Sequence, residues 1–226
     1  MKTVVTWIFA GGEIPYELIE TYRKKNQADW VIAVDGGLAA MERLEICPTH
    51  IVGDFDTVDT RLLERYQLEK QVVIRKFQPK KDFTDGQIAI ELALELCSTK
   101  IVLFGATGRR LDHLLGNLDL LYMAEQNGAC CEILDAYNRV QLLWSNQYYR
   151  IEQKTQFGSY ISLLPFTDRV EGITLTGFQY PLTNYTMPRF LNPTLGISNE
   201  IVEESGTIWF SDGILICIES TDNKIA

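Results

Sequence analysis

The chain has 226 residues, enough for one large domain or two modest ones with a sizeable buried core. A net charge of −9, from 30 acidic against 21 basic residues, argues against a general nucleic-acid or anionic-membrane surface. Five cysteines without a CxxC pair read as reduced core thiols of a cytoplasmic protein rather than a disulfide framework. Met1 to Ala10 lacks the long apolar core and cleavage site of a signal peptide, and no apolar run approaches the roughly 20 residues that a membrane span needs.

In chain order, Val4–Ala10 reads as a strand ended by Gly11-Gly12, and Pro15 opens a helix running to about Lys25. Trp30–Val34 is a strand stopping at Asp35-Gly36-Gly37, and Leu38–Leu44 is helical. His50–Val52 is a strand, Asp59–Gln67 a helix and Val72–Ile74 a short strand. A helix from about Thr84 to Cys97, a strand at Ile101–Phe104, a helix from about Arg110 to Gln126 and a strand at Cys130–Leu134 follow. Apolar strands alternating with amphipathic helices imply a parallel sheet covered on both faces. The pattern changes near Asn138. Runs such as Tyr160–Leu164, Val170–Thr176, Thr207–Phe210 and Ile214–Ile218, separated by glycines and turn residues, predict a small antiparallel sandwich or barrel. The expected domains are therefore 1–145 and 146–226.

Chemistry concentrates where parallel strands end. In Gly53-Asp54-Phe55-Asp56-Thr57, Asp54 and Asp56 are two apart in an extended segment and project into one volume. Such carboxylates repel unless a proton or a hard divalent cation neutralises them; a loop of helix-capping acids is the plainer alternative. Gly36 and Gly37 would let backbone face a phosphate or sugar, or simply make a tight turn. Thr84 and Gln87 have the spacing of a capping box, so Lys81, Asp82, Thr84 and Asp85 stand at a helix start that favours anions. Ile88, Leu92 and Leu96 are its expected buried face.

After the Ile101–Phe104 strand comes Gly105-Ala106-Thr107-Gly108, which is not a Walker A loop. On the next helix Arg110, His113 and Asn117 share a face, with Leu111, Leu114, Leu115 and Leu118 expected on the opposing core face. Four strand ends carrying glycines, acids and cations compose a nucleotide–Mg²⁺ phosphoryl-transfer site, in which alignment and charge neutralisation do the catalysis.

Taken together, these motifs resemble the thiamine pyrophosphokinase (thiamine diphosphokinase) family. The resemblance rests on Asp35-Gly36-Gly37, Gly53 to Thr57, Lys81-Asp82-Phe83-Thr84-Asp85, and Gly105 to Gly108 followed by Arg110, Asp112 and His113. It continues in Gly177-Phe178-x-Tyr180-Pro181-Leu182 and Gly196-Ile197-Ser198-Asn199-Glu200, so it covers nearly the whole chain. It implies an N-terminal three-layer α/β domain with a parallel sheet, a C-terminal β-sandwich that binds thiamine, and a homodimer. It also implies transfer of the diphosphoryl group of ATP to the hydroxyethyl oxygen of thiamine, giving AMP and thiamine diphosphate.

By motif position, Asp54, Asp56, Asp82 and Asp85 would be catalytic, with Asp54, Asp56 and Asp85 holding Mg²⁺. Asp35, Gly36, Gly37, Lys81, Thr84, Gly105, Thr107, Arg110, Asp112, His113 and Asn117 would line the nucleotide, and Ser198 and Asn199 the thiamine ring. Arg109, Lys80 and Thr57 depart from the family's usual glycine, acid and serine. The Asp54-x-Asp56 pair also fits haloacid-dehalogenase-type phosphatases, but those carry it on the first strand. A nucleotide sensor would not need so many acids, and a dinucleotide oxidoreductase lacks its Gly-x-Gly-x-x-Gly after the first strand.

Overall fold

A computed structural model of the chain describes residues 2–56, 58–76, 83–108, 110–192 and 194–225. The backbone forms two compact units, 1–136 and 137–225, each with its own core.

The first unit is built from six parallel strands: β1 (Val5–Phe9), β2 (Trp30–Val34), β3 (His50–Gly53), β4 (Val73–Lys76), β5 (Lys100–Phe104) and β6 (Cys130–Leu134). Their order is β4-β3-β2-β1-β5-β6. The central strands read as continuous apolar runs because both faces are covered: Ile8, Phe9, Ile32, Ala33, Ile51, Ile101 and Phe104 are fully buried. The intervening helices are α1 (Tyr16–Tyr22), α2 (Gly37–Arg43), α3 (Thr60–Gln67), α4 (Asp85–Glu95) and α5 (Leu111–Gln126). From β1 to β4 the chain steps one way across the sheet, then it returns past β1 to β5. Right-handed crossovers therefore place α1–α3 on one face and α4 and α5 on the other. In keeping with this, α4 packs on α5. The order reverses at β1, and ligands of open α/β sheets bind outside the carboxyl ends at such a point.

The second unit holds β7 (Asn138–Trp144), β8 (Tyr149–Glu152), β9 (Tyr160–Pro165), β10 (Arg169–Thr176), β11 (Leu182–Pro188), β12 (Ser205–Trp209) and β13 (Ile214–Ser220). Strands β7-β13-β9 pair antiparallel, as do β11-β10-β12-β8. Inward residues from both groups make one core, among them Leu143, Ile161, Leu163, Val170, Ile173, Met187, Ile208, Phe210 and Leu215. This is a β-sandwich. Strand β7 clusters with this unit through its seven-residue pairing with β13.

Three expectations need correction. On α4 only Leu92 of the expected Ile88, Leu92 and Leu96 face is buried, together with Ala89, Ile90 and Ala93, while Ile88 and Leu96 are half-buried. The helix α5 does not bury Leu111 and Leu115, which are 70% and 63% exposed; its buried residues are Leu120, Leu121 and Ala124. Leucines ring this helix, so its pattern alone does not choose the face that meets the sheet. Among the cysteines only Cys131 and Cys217 are buried; Cys47, Cys97 and Cys130 are exposed, and all five are free thiols.

Candidate active site

The β2 and β3 ends interlock around Asp35. Its backbone N–H donates to the Val52 carbonyl at 3.2 Å, and its Oδ1 accepts from the Phe55 N–H at 3.3 Å. Parallel pairing of Val34 with Val52 sets the two ends side by side. Gly53 has φ +154, and a Cβ built there would lie 1.8 Å from Asp35 Oδ1. This glycine therefore makes room for the carboxylate of Asp35 rather than for a ligand. Asp35 (φ 40) and Phe55 (φ 64) are themselves held in the left-handed region, the kind of backbone strain that collects at functional sites. The Asp56 N–H donates to Asp54 Oδ1 at 3.1 Å, tightening the loop further.

Electrostatics bind these acids to the start of α4. The Asp35 carboxyl is raised to about 6, first by burial, then by Asp85, with smaller contributions from Asp54 and Asp56 that the Phe55 hydrogen bond opposes. Four carboxylates thus share one field. Among the described residues no three acidic, His or Cys side chains close tightly enough to hold a metal alone.

At α4, Thr84 is the N-cap, its Oγ1 accepting from the Gln87 N–H at 3.2 Å. The Gln87 side-chain amide donates to Glu91 at 2.9 Å. Lys81 and Asp82 lie outside the described residues, as do Thr57, Lys80 and Arg109.

The Gly105–Gly108 loop follows β5 and leads into α5. Gly12, at the β1 end, donates its N–H to the Gly105 carbonyl at 3.0 Å. A Cβ on Gly12 would meet that carbonyl at 2.3 Å and the Thr107 carbonyl at 2.7 Å. The β1 end is therefore part of this region, a role that the Gly11-Gly12 doublet signalled and that sequence reasoning gave only to strand termination. Gly37 opens α2 against the Phe9 carbonyl, which explains that glycine by packing.

Arg110 pairs through two nitrogens with Asp112, and this hydrogen-bonded guanidinium, the largest influence, brings the Asp112 carboxyl down to about 2. His113 is exposed, and its N–H caps the same carboxylate at 3.0 Å. Asn117 does not point outward with them: its amide donates to the Ala106 carbonyl at 2.7 Å, tying the glycine loop to α5.

In the second unit, Ser198 is exposed and left-handed (φ 58), its N–H donating to Ser162 Oγ at 3.0 Å. Asn199 is 8% exposed, and its Oδ1 accepts from the N–H groups of Tyr180 (3.0 Å) and Glu200 (2.9 Å). Its Nδ2 donates to the Tyr180 carbonyl at 2.9 Å.

A parallel sheet with glycine loops, carboxylates and a helix start at its carboxyl edge is the construction of a phosphate-handling enzyme. Comparison with known proteins agrees. The family model for the thiamin pyrophosphokinase catalytic domain matches residues 22–133, and that for the thiamin pyrophosphokinase vitamin B1 binding domain matches residues 148–215. A thiamine pyrophosphokinase of Bacillus subtilis is 40% identical over 225 residues, 98% of this chain and 100% of the relative. Among solved structures, thiamine pyrophosphokinase from Bacillus subtilis superposes with a TM-score of 0.84 at 35% identity, covering 96% of this chain and 99% of that one. The Candida albicans protein shares the fold, with a TM-score of 0.77 at 17% identity over 96% and 89% of the two chains. The chain belongs to the thiamine pyrophosphokinase family, enzymes that form thiamine diphosphate by pyrophosphoryl transfer.

Proposed function

We propose that this enzyme takes the diphosphoryl group from ATP, releases AMP, and depends on Mg²⁺. The observation that carries the reading is the shared field of Asp35, Asp54, Asp56 and Asp85 at the carboxyl edge of the sheet, which calls for a cation beside phosphates. Asp54, Asp56 and Asp85, with Asp82, would hold Mg²⁺, which when bound supplies charge neutralisation at the phosphate oxygens. Asp35 keeps the Asp54–Asp56 loop in place by accepting from its backbone. The Gly36-Gly37 turn, Thr84 and the Gly105–Thr107 loop line the nucleotide. Lys81, Arg110 and His113 contact its phosphates, Asp112 orients Arg110, and Asn117 fixes the loop.

A carboxylate of this group orients the thiamine hydroxyl and accepts its proton. The hydroxyl oxygen then bonds to the β-phosphorus while the bond from that phosphorus to the α–β bridging oxygen breaks, and that oxygen leaves on AMP. Ser198 faces the thiamine side of the reaction, and Asn199 supports it. The enzyme works as a cytoplasmic homodimer without nucleic-acid or membrane partners; no helix among the described residues is long and apolar enough to cross a membrane.

Incubation with ATP, Mg²⁺ and thiamine, followed by chromatography of nucleotide and vitamin products, tests the reading. AMP and thiamine diphosphate in equal amounts are expected. ADP with thiamine monophosphate would mean single-phosphoryl transfer, and ATP bound but unconsumed would mean a sensor.

A further inference from the structure

The start of α4 and the loop after β5 follow different strands, yet one side chain of α5 meets both. Asn117 stands in the second turn of α5 and is half-buried. Its Nδ2 donates to the Ala106 carbonyl at 2.7 Å and so takes hold of the Gly105–Gly108 loop. Its Oδ1 faces the first turn of α4. A Cβ built on Gly86 would lie 3.3 Å from that oxygen and 3.3 Å from Leu120 Cδ1. A methyl group fits there only if the amide or the leucine gives way. Gly86 follows Asp85 directly and lies two residues past the Thr84 cap. It does not have a positive φ, so its backbone conformation does not call for glycine, and a helix interior favours alanine over glycine. What calls for glycine here is the space that Asn117 and Leu120 occupy.

Resting on the proposed function, we infer that Gly86 and Asn117 form a joint that fixes the spacing between the nucleotide loop and the Asp85 end of α4, and that both are positioning residues for phosphoryl transfer. Such transfer depends on holding the two ends of a phosphate chain in line. One amide sets that spacing: its nitrogen holds the loop at Ala106 and its oxygen bears on the turn that carries Asp85. From the β1 side the Gly12 N–H, bonded to the Gly105 carbonyl, gives the loop a second anchor. A side chain at position 86 would press on Oδ1 and lever Nδ2 off Ala106, so a change in α4 reaches a loop that it does not touch. Gly86 acts through Asn117, and Asn117 through the loop.

The test compares Gly86→Ala, Asn117→Ala and the double variant with the wild type by steady-state kinetics, varying ATP at saturating thiamine and thiamine at saturating ATP, alongside melting temperatures. Gly86→Ala should lower kcat/KM for ATP about tenfold, since a misplacement of roughly 1 Å can cost about a hundredfold. Its KM for thiamine should be unchanged and its melting temperature no lower, because alanine favours the helix. Asn117→Ala should lower kcat/KM for ATP at least as much. It also vacates the space that the methyl group needs, so the double variant should match Asn117→Ala alone. Titration calorimetry with AMP reads the loop without turnover, and both single variants should bind it more weakly than the wild type. An unchanged kcat/KM for ATP in Gly86→Ala, unaltered AMP affinity in both singles, or losses that multiply in the double variant overturns the inference and leaves the function standing. A lower melting temperature in Gly86→Ala with the thiamine KM rising in step would mean general loosening and overturns it too. Gly86→Ala decides the matter even if Asn117→Ala fails to fold. A wild-type enzyme that consumes no ATP overturns the function itself, and this inference with it.

Discussion

At Asp35 the surroundings compete over one proton. Burial and the charges of Asp85, Asp54 and Asp56 disfavour its ionised form, the Phe55 N–H favours it, and the first group wins, lifting the carboxyl from 3.8 to about 6. The consequence for stability has a definite sign. Below pH 3.8 the group is protonated folded or unfolded and imposes no penalty. As pH rises toward 6 the unfolded chain ionises freely while the folded one resists, so stability falls; above about pH 6 the loss is complete. Asp35→Asn keeps the shape and an Oδ1 that can accept from Phe55, and it removes the charge. Without divalent ions, this variant should melt higher than wild type at pH 7.5 and at nearly the same temperature at pH 3.5, by thermal denaturation followed with circular dichroism. A gain equal at both pH values would show that packing, not charge, is responsible.

The start of α4 carries Asp85 and is capped by a side-chain bond, Thr84 Oγ1 accepting from the Gln87 N–H. Removing such a cap costs about 1 kcal/mol, worth roughly 2–4 °C in a chain of this size. Thr84→Ala should lower the melting temperature by that much and Thr84→Ser should recover it. Recovery of stability together with turnover in the serine variant identifies the hydroxyl as a cap; stability unchanged in the alanine variant would remove the cap from the account. This helix start was legible in the sequence because capping is local, spanning three residues. The strand and helix alternation was legible for the same reason: periods of 2 and 3.6 are written in neighbouring side chains. The face of α5 was not, since leucines at 111, 114, 115, 118, 120 and 121 leave several faces apolar and the packing partner decides. Nor was the turn of Asn117 toward Ala106, or the room that Gly53 leaves for Asp35. Both depend on which elements lie side by side, in the second case on the β2–β3 register that sets Val34 against Val52.

Over the whole molecule, an acidic chain of net charge −9 is destabilised by self-repulsion, and any salt relieves part of this by screening. The proposed Mg²⁺ site at the carboxyl edge predicts a second effect that screening does not supply, because a divalent ion bound there would stabilise the folded state by mass action. That amounts to about 2.7 kcal/mol at a hundredfold excess over its dissociation constant. The two contributions separate when MgCl₂ is compared with NaCl at equal ionic strength. MgCl₂ should raise the melting temperature of the wild type above that in NaCl, by several degrees near saturation. In an Asp54→Asn/Asp56→Asn double variant the difference between the salts should vanish, while the rise common to both remains, since only two of the chain's 30 acids have been neutralised. Equal melting temperatures in the two salts for the wild type would mean that the carboxylates select no divalent ion without phosphates. Repeating the melt with ATP present would then show whether substrate oxygens are needed to complete the set.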